Sequence, residues 1–221
     1  MKSNPYPEIL AVAVGLVALA FTPSASAATI LTFRDADGAS LPNDELVPQT
    51  YGDNVAASPQ GGFSYGLAGS DYTPNITITY SDNIFTYADT GFGGYGDLQT
   101  ILYSENPFTI AFTAAGGFLV SLESFKVATF GGGDESFNVT ISNGVSAPFT
   151  LFDVTPGFDT ITIDFTGQEA AIGEIVTLAF GVPNFNVGVS EIQFSQIPEP
   201  GSVLVGLASV GVFGLFRRRN C

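Results

Sequence analysis

The chain has 221 residues, 45% of them hydrophobic and 20 of them Phe, which is enough apolar surface for one folded domain with short terminal segments. It has no His, no Trp and one Cys, at the last position, so an internal disulfide, a zinc site built from His and Cys, and imidazole acid–base catalysis are all excluded. Between residues 28 and 196, 19 Asp or Glu face only Arg34 and Lys126, a formal charge of −17 that repels phosphate backbones and excludes a nucleic-acid partner.

The first 27 residues have the pattern of a secretory signal. Lys2 precedes an uncharged run of 13 residues from Ile9 to Phe21, Pro23 breaks the helix, and Ala25-Ser26-Ala27 supply the small side chains that a cleavage pocket accepts. The run would make about 20 Å of helix, short of a ~30 Å hydrocarbon core, so the expectation is a signal peptide over 1–27 cut after Ala27 rather than an anchor.

From residue 28 to 196 the dominant period is two. Ile76, Ile78 and Tyr80 alternate with Thr77 and Thr79; Phe108, Ile110 and Phe112 with Thr109 and Ala111; Phe137, Val139 and Ile141 with Asn138 and Thr140; Ile161, Ile163 and Phe165 with Thr162 and Asp164. Each run predicts a strand with one face on a core and one in water. Further strands are expected at 29–33, 98–103, 118–130, 149–154, 175–180 and 187–194. Ser142-Asn143-Gly144, Thr155-Pro156-Gly157 and Gly131-Gly132-Gly133 supply turns between them. About ten short strands without helices predict an all-β, antiparallel β-sandwich of the jelly-roll type over 28–196, with the weakly periodic stretch from Asp44 to Tyr72 as a long loop holding one short strand at most.

Two groups of residues in this region have ligand-binding chemistry. Asp35-Ala36-Asp37-Gly38 has the alternate carboxylates that open a calcium loop, but the twelfth position of an EF-hand falls on Leu46, so that motif fails. A calcium site would need oxygens from elsewhere, with Asp53 and Glu191 the candidates if the first and last strands lie together; the simpler reading is an acidic turn after a strand. Phe92-Gly93-Gly94-Tyr95-Gly96-Asp97 is a glycine-rich loop whose Phe92, Tyr95 and Asp97 could hold a sugar by its apolar C–H face and its hydroxyls, the alternative being a surface loop with its rings tucked onto the sandwich. Acidic pairs such as Asp134-Glu135 are no closer to a glycosidase arrangement than composition alone provides, and no nucleophile–base combination is present, so a non-enzyme is expected.

The C-terminus has three parts in order. Pro198-Glu199-Pro200 resists helix and favours extended backbone; Gly201 to Phe216 is an uncharged run of 16 residues spotted with Gly206, Gly211 and Gly214; Arg217, Arg218 and Arg219 follow. The run makes about 24 Å of helix, adequate for a thinned bilayer, and the arginines would hold its end in the cytoplasm. This order resembles the PEP-CTERM sorting signal of Gram-negative and related bacteria, a tail that also goes by the name ice-binding protein C-terminal domain without being evidence of ice binding. The resemblance covers residues 197–221, with Asn220 and Cys221 as a departure beyond the arginines. It implies recognition by a membrane-embedded exosortase, processing near Pro198–Pro200, and transfer to the surface or to exopolysaccharide. More loosely, Pro48 to Asp53, Thr73 to Thr77 and Gly94 to Leu98 resemble an ectodomain common among such proteins, and Val187 to Phe194 resembles the last strand of galactose-binding-like jelly rolls.

The expectation is an exported envelope, surface or matrix protein of non-catalytic type. It would have a membrane-anchored precursor, the secretion machinery and an exosortase as partners, extracellular polysaccharide as a candidate ligand, and no cofactor beyond a candidate structural calcium. The alternatives are a carbohydrate-binding or calcium-dependent adhesion module and, third, a glycan-processing enzyme.

Overall fold

A computed structural model describes residues 28–66, 72–88, 94–157, 159–181 and 186–199. The predicted signal peptide over 1–27 and the predicted membrane helix over 201–216 lie outside the described residues. In chain order the strands are β1 (Ala28–Leu31), β2 (Arg34–Asp35), β3 (Glu45–Leu46), β4 (Phe63–Ser64), β5 (Ile76–Tyr80), β6 (Phe85–Ala88), β7 (Thr100–Tyr103), β8 (Phe108–Ala114), β9 (Phe118–Thr129), β10 (Phe137–Ser142), β11 (Phe149–Val154), β12 (Ile161–Asp164), β13 (Ile172–Gly173), β14 (Ile175–Gly181) and β15 (Val187–Pro198). The helical content among the described residues is two single 3-10 turns, Phe130–Gly132 and Glu169–Ala171.

All pairings are antiparallel, and they build two main sheets. The larger runs β12-β9-β15-β7-β6-β3, with β1 added to β15 and β13 to β9; the smaller runs β11-β10-β14-β8-β5. The first strand therefore lies on the last, with Ala28 opposite Ser195 and Leu31 opposite Ile192. Alternation explains which faces meet. In β5, Ile76, Ile78 and Tyr80 are buried while Thr77 and Thr79 are exposed, and β8 and β10 repeat the pattern. The buried faces join into one core, where Phe112 of β8 meets Phe194 of β15 at 5.0 Å and Phe125 of β9 meets Phe180 of β14 edge-on at 5.3 Å. The chain is an antiparallel β-sandwich, as its periodicity predicts.

Two segments depart from the sequence expectation. β6 was not predicted, because its pattern is inverted: Thr86 points inward, 1% exposed, and its hydroxyl donates to the Pro42 carbonyl at 2.6 Å, while Tyr87 faces out. The stretch from Asp44 to Tyr72 holds two short strands, β3 and β4, and a buried aromatic cluster. Tyr51 stacks on Phe33 at 5.1 Å and meets Phe63 edge-on at 4.9 Å, and its hydroxyl donates to the Ser64 carbonyl at 2.9 Å. Aromatic burial and side-chain hydrogen bonds, neither of them periodic, hold this region.

Candidate functional site

The outward face of the larger sheet carries its own small apolar cluster. Val189 pairs with both Leu102 and Val127, so Gly188 sits between Tyr103 of β7 and Ala128 of β9 on the face turned away from the core. The turn from Gly94 to Leu98 lies across this face, and Tyr95, Leu98, Ile101 and Ala128 pack together beneath Tyr87 and Tyr103. Gly188 is required here, since a Cβ would stand 2.6 Å from Cδ1 of Tyr95 and 3.0 Å from the Ile101 side chain. The Gly131 N–H donates to the Gly94 carbonyl at 2.9 Å and fastens the turn to the Phe130 segment.

Along one side of this turn runs a cleft of about 400 Å³ lined by Asp44, Tyr87, Tyr95, Tyr103, Glu105 and Phe130. Its walls are rings: Tyr87 and Tyr95 are 6.2 Å apart at 65°, and Tyr95 and Phe130 are 5.5 Å apart at 59°. Phe130 stands at the rim, 45% exposed, and offers its ring to the cleft. The polar groups include the Tyr103 hydroxyl and two carboxylates, beside the hydroxyls of Tyr87 and Tyr95. The Tyr103 hydroxyl donates to Oδ1 of Asp44 at 2.7 Å. Burial, then that hydrogen bond and the charges of Asp44 and Glu105, push Tyr103 up to about 12, so it remains a protonated donor at neutral pH. Asp44 itself has φ of 60°, a conformation that costs a non-glycine residue energy and aims its carboxylate at Tyr103. Ring faces flanked by hydroxyls and carboxylate acceptors, with no cation in the lining among the described residues, suit a neutral ligand with an apolar face and hydroxyls at its edge; the two carboxylates disfavour an anion.

On the other side of the turn is a polar cleft of about 240 Å³ lined by Thr32, Arg34, Asp97, Gln99, Thr100, Ser190 and Glu191. Glu191 occupies a β-bulge with φ of 47° and pairs with Lys126 at 2.8 Å. That hydrogen bond is the main reason the Lys126 ammonium is held above its usual range. Both cations of residues 28–196 thus lie at or beside this cleft, although the Lys126–Glu191 pair is surface-exposed and contributes little to stability.

The residues singled out from sequence are distributed as follows. Phe92 lies outside the described residues. Tyr95 lines the aromatic cleft as a wall that is 3% exposed, whereas Asp97 lines the polar cleft, so the turn separates the two. Asp35 and Asp37 form an acidic turn, with Oδ1 of Asp35 accepting from the N–H groups of Asp37 at 3.0 Å and Ala39 at 2.9 Å. Oδ1 of Asp53 accepts from the Ile78 N–H at 2.6 Å, and Glu191 is paired with Lys126. No three carboxylates are gathered into one group among the described residues, and these four are no exception. Pro198 ends β15 and the Glu199 N–H donates to the Gly117 carbonyl at 2.9 Å; Pro200, Arg217, Arg218 and Arg219 lie outside the described residues. Sequence reasoning missed Asp44, Tyr87, Tyr103, Glu105 and Phe130, which come from separate segments. The one available signal was Tyr103, which shares the outward parity of Ile101 in a predicted strand.

Residues 196–220 match the family model of the PEP-CTERM protein-sorting motif. A protein with this motif is exported and sorted to the cell envelope, and the motif implies exosortase processing. No curated protein matches the chain. Among solved structures it is similar to TmCBM61 in complex with β-1,4-galactotriose, at 9% identity over 56% of this chain and 88% of that one, with a TM-score of 0.30. It is also similar to the family 32 CBM from C. perfringens NanJ in complex with galactose, at 7% identity over 55% and 93%, again with a TM-score of 0.30.

Proposed function

We propose that this chain is a non-catalytic surface protein, sorted by an exosortase, whose ectodomain holds a neutral polysaccharide in the aromatic cleft. A single observation carries the ligand reading: Tyr87, Tyr95, Tyr103 and Phe130 converge around about 400 Å³ of space whose polar groups are the carboxylates of Asp44 and Glu105 and the tyrosine hydroxyls. Sugar rings have apolar C–H faces that rest on aromatic rings and hydroxyl edges that donate to carboxylates. In the precursor, residues 1–27 direct export and are cut away, the 201–216 segment crosses the membrane as a transient anchor, and Arg217–Arg219 keep its end inside. The ectodomain is a jelly-roll-like sandwich, a reading supported by the pairing of β1 with β15 across the larger sheet.

Affinity electrophoresis of the mature protein through gels containing neutral or uronate-rich polysaccharides tests the ligand class. Neutral gels should retard the protein and uronate gels should not. Tyr103→Ala and Phe130→Ala should each weaken retention roughly fivefold, the worth of about 1 kcal/mol per stacked ring. Retention that survives both substitutions places the ligand elsewhere and removes the cleft from the reading.

A further inference from the structure

The sorting motif and the folded domain overlap. The family match begins at residue 196, yet β15 continues to Pro198, pairing Gln196 with Val120, Ile197 with Leu119 and Pro198 with Phe118. The Glu199 N–H extends the ladder by donating to the Gly117 carbonyl at 2.9 Å. Gln196 holds this strand end from the other sheet as well: its Oε1 accepts from the backbone N–H of Asn75 at 3.0 Å and from the Asn75 side-chain amide at 3.3 Å, just ahead of β5. Ala28, the first residue after the expected signal cut, pairs with Ser195 three residues before Pro198. The two expected processing points therefore meet at one end of one sheet, and no spacer separates the Pro-Glu-Pro from the sandwich.

A peptidase reads an extended segment through its backbone N–H and C=O groups and encloses it on both sides. Here the edge of the segment that faces β9 is already paired, from Gln196 through the Glu199 N–H on Gly117, so the segment cannot be enclosed on both sides. We propose that the last residues of β15, from Gln196 to Glu199, must detach from β9 and Asn75 before an exosortase can engage the motif, so that the folded ectodomain competes with its own sorting enzyme. This inference rests on the exosortase reading above. Strand ends open locally far more often than whole domains, so the opened form is a minor but accessible state, and the rate of tail removal is proportional to its population. Anything that releases the strand end speeds processing; anything that tightens it slows processing.

The experiment follows tail removal by pulse-chase and mass spectrometry of the full chain in a host carrying the matching exosortase. One variant inserts six Gly/Ser residues between Gln196 and Ile197, which leaves β15 intact to Gln196 and frees the motif. A second, Gln196→Ala, releases the Asn75 contacts without changing the chain length. The spacer variant should lose its tail at least about fivefold faster than the parent, and Gln196→Ala a few-fold faster, since losing one or two hydrogen bonds shifts a local opening equilibrium by roughly that factor. Equal or slower processing of both variants, with the parent still processed, overturns the competition and leaves the sorting reading in place. If none of the three chains is shortened, the sorting reading itself fails and this inference with it.

Discussion

Raising the pH above 10 should destabilise this domain by a route that its buried tyrosines define. Tyr51 is fully buried, with its hydroxyl donating to the Ser64 carbonyl at 2.9 Å and accepting from the Arg34 N–H at 3.0 Å. Tyr80 is 2% exposed and donates to the Tyr51 carbonyl at 3.0 Å. Burial pushes both hydroxyls well above the ordinary value of 10. The sign follows from proton counting. Above pH 10 the unfolded chain releases these two protons and the folded chain keeps them, so stability is full below pH 10 and falls as pH rises beyond it. Each tyrosine costs about 1.4 kcal/mol at pH 11, and the pair about 3 kcal/mol. For a domain of this size that lowers the Tm by roughly 6–12 °C relative to pH 9. With eight Tyr and no Trp, tyrosinate absorbance near 295 nm reads the event without interference. At pH 11 the folded protein should show less than the full tyrosinate signal and gain the rest on melting. Tyr51→Phe should lower the Tm at pH 8, because a buried acceptor and donor lose their partner, yet remove about 1.4 kcal/mol of the alkaline fall, the rest staying with Tyr80 and the other raised tyrosines. A flat Tm from pH 9 to 11, or a single tyrosinate transition near 10 in the folded protein, would refute the reasoning.

Gly188→Ala should cost about 1–3 kcal/mol by forcing Tyr95 and Ile101 apart, and should abolish polysaccharide retention together with it; chemical denaturation and affinity electrophoresis measure the two effects. Asp53→Ala should cost about 1–3 kcal/mol, because the Ile78 N–H loses its acceptor, whereas Asp53→Asn should restore most of the midpoint in urea.

How much was legible in the sequence depended on whether one short-range pattern carried the information. Strands β5, β8, β10 and β12 announce themselves because Ile, Val and Phe recur at every second residue where one face meets the core. β6 inverts that rule, since Thr86 is satisfied by the Pro42 carbonyl and can lie inward, and periodicity has no term for a buried hydroxyl with a partner. The 44–66 region was opaque for a related reason: Tyr51, Tyr65 and Phe63 meet through a loop, and their spacing in the chain has no period. The cleft was half legible. Tyr95 belongs to a glycine-rich turn that composition marks out, but Asp97, two residues on, points to the opposite side of that turn. Asp44, Glu105 and Phe130 are brought in by long-range pairing, which a single sequence does not encode locally. The tail was the opposite case, since its three blocks are contiguous and each has its own composition. Its overlap with β15 was hidden because Ile197-Pro198 serves equally well as the end of a strand and the start of a motif.

β15 sets how far the two proposed activities lie apart, and this yields a last prediction. Gly188, beside the aromatic cleft, and Pro198, in the motif, are ten residues apart on one strand, about 33 Å at the usual rise. Sites this far apart with no shared partners behave additively, within about 0.5 kcal/mol. Tyr103→Ala should therefore leave tail removal within about twofold of the parent, and Gln196→Ala should leave polysaccharide retention unchanged to the same degree. The double variant should show each defect at its single-variant size. The bulge between Ser190 and Gln193 interrupts the ladder with β9, which pairs with both ends, and on its other edge β15 has β7 at one end and β1 at the other, which is the structural reason to expect independence. A Tyr103→Ala chain processed several-fold faster than the parent would mean that β15 transmits strain along its length, and that the cleft and the motif form one coupled unit.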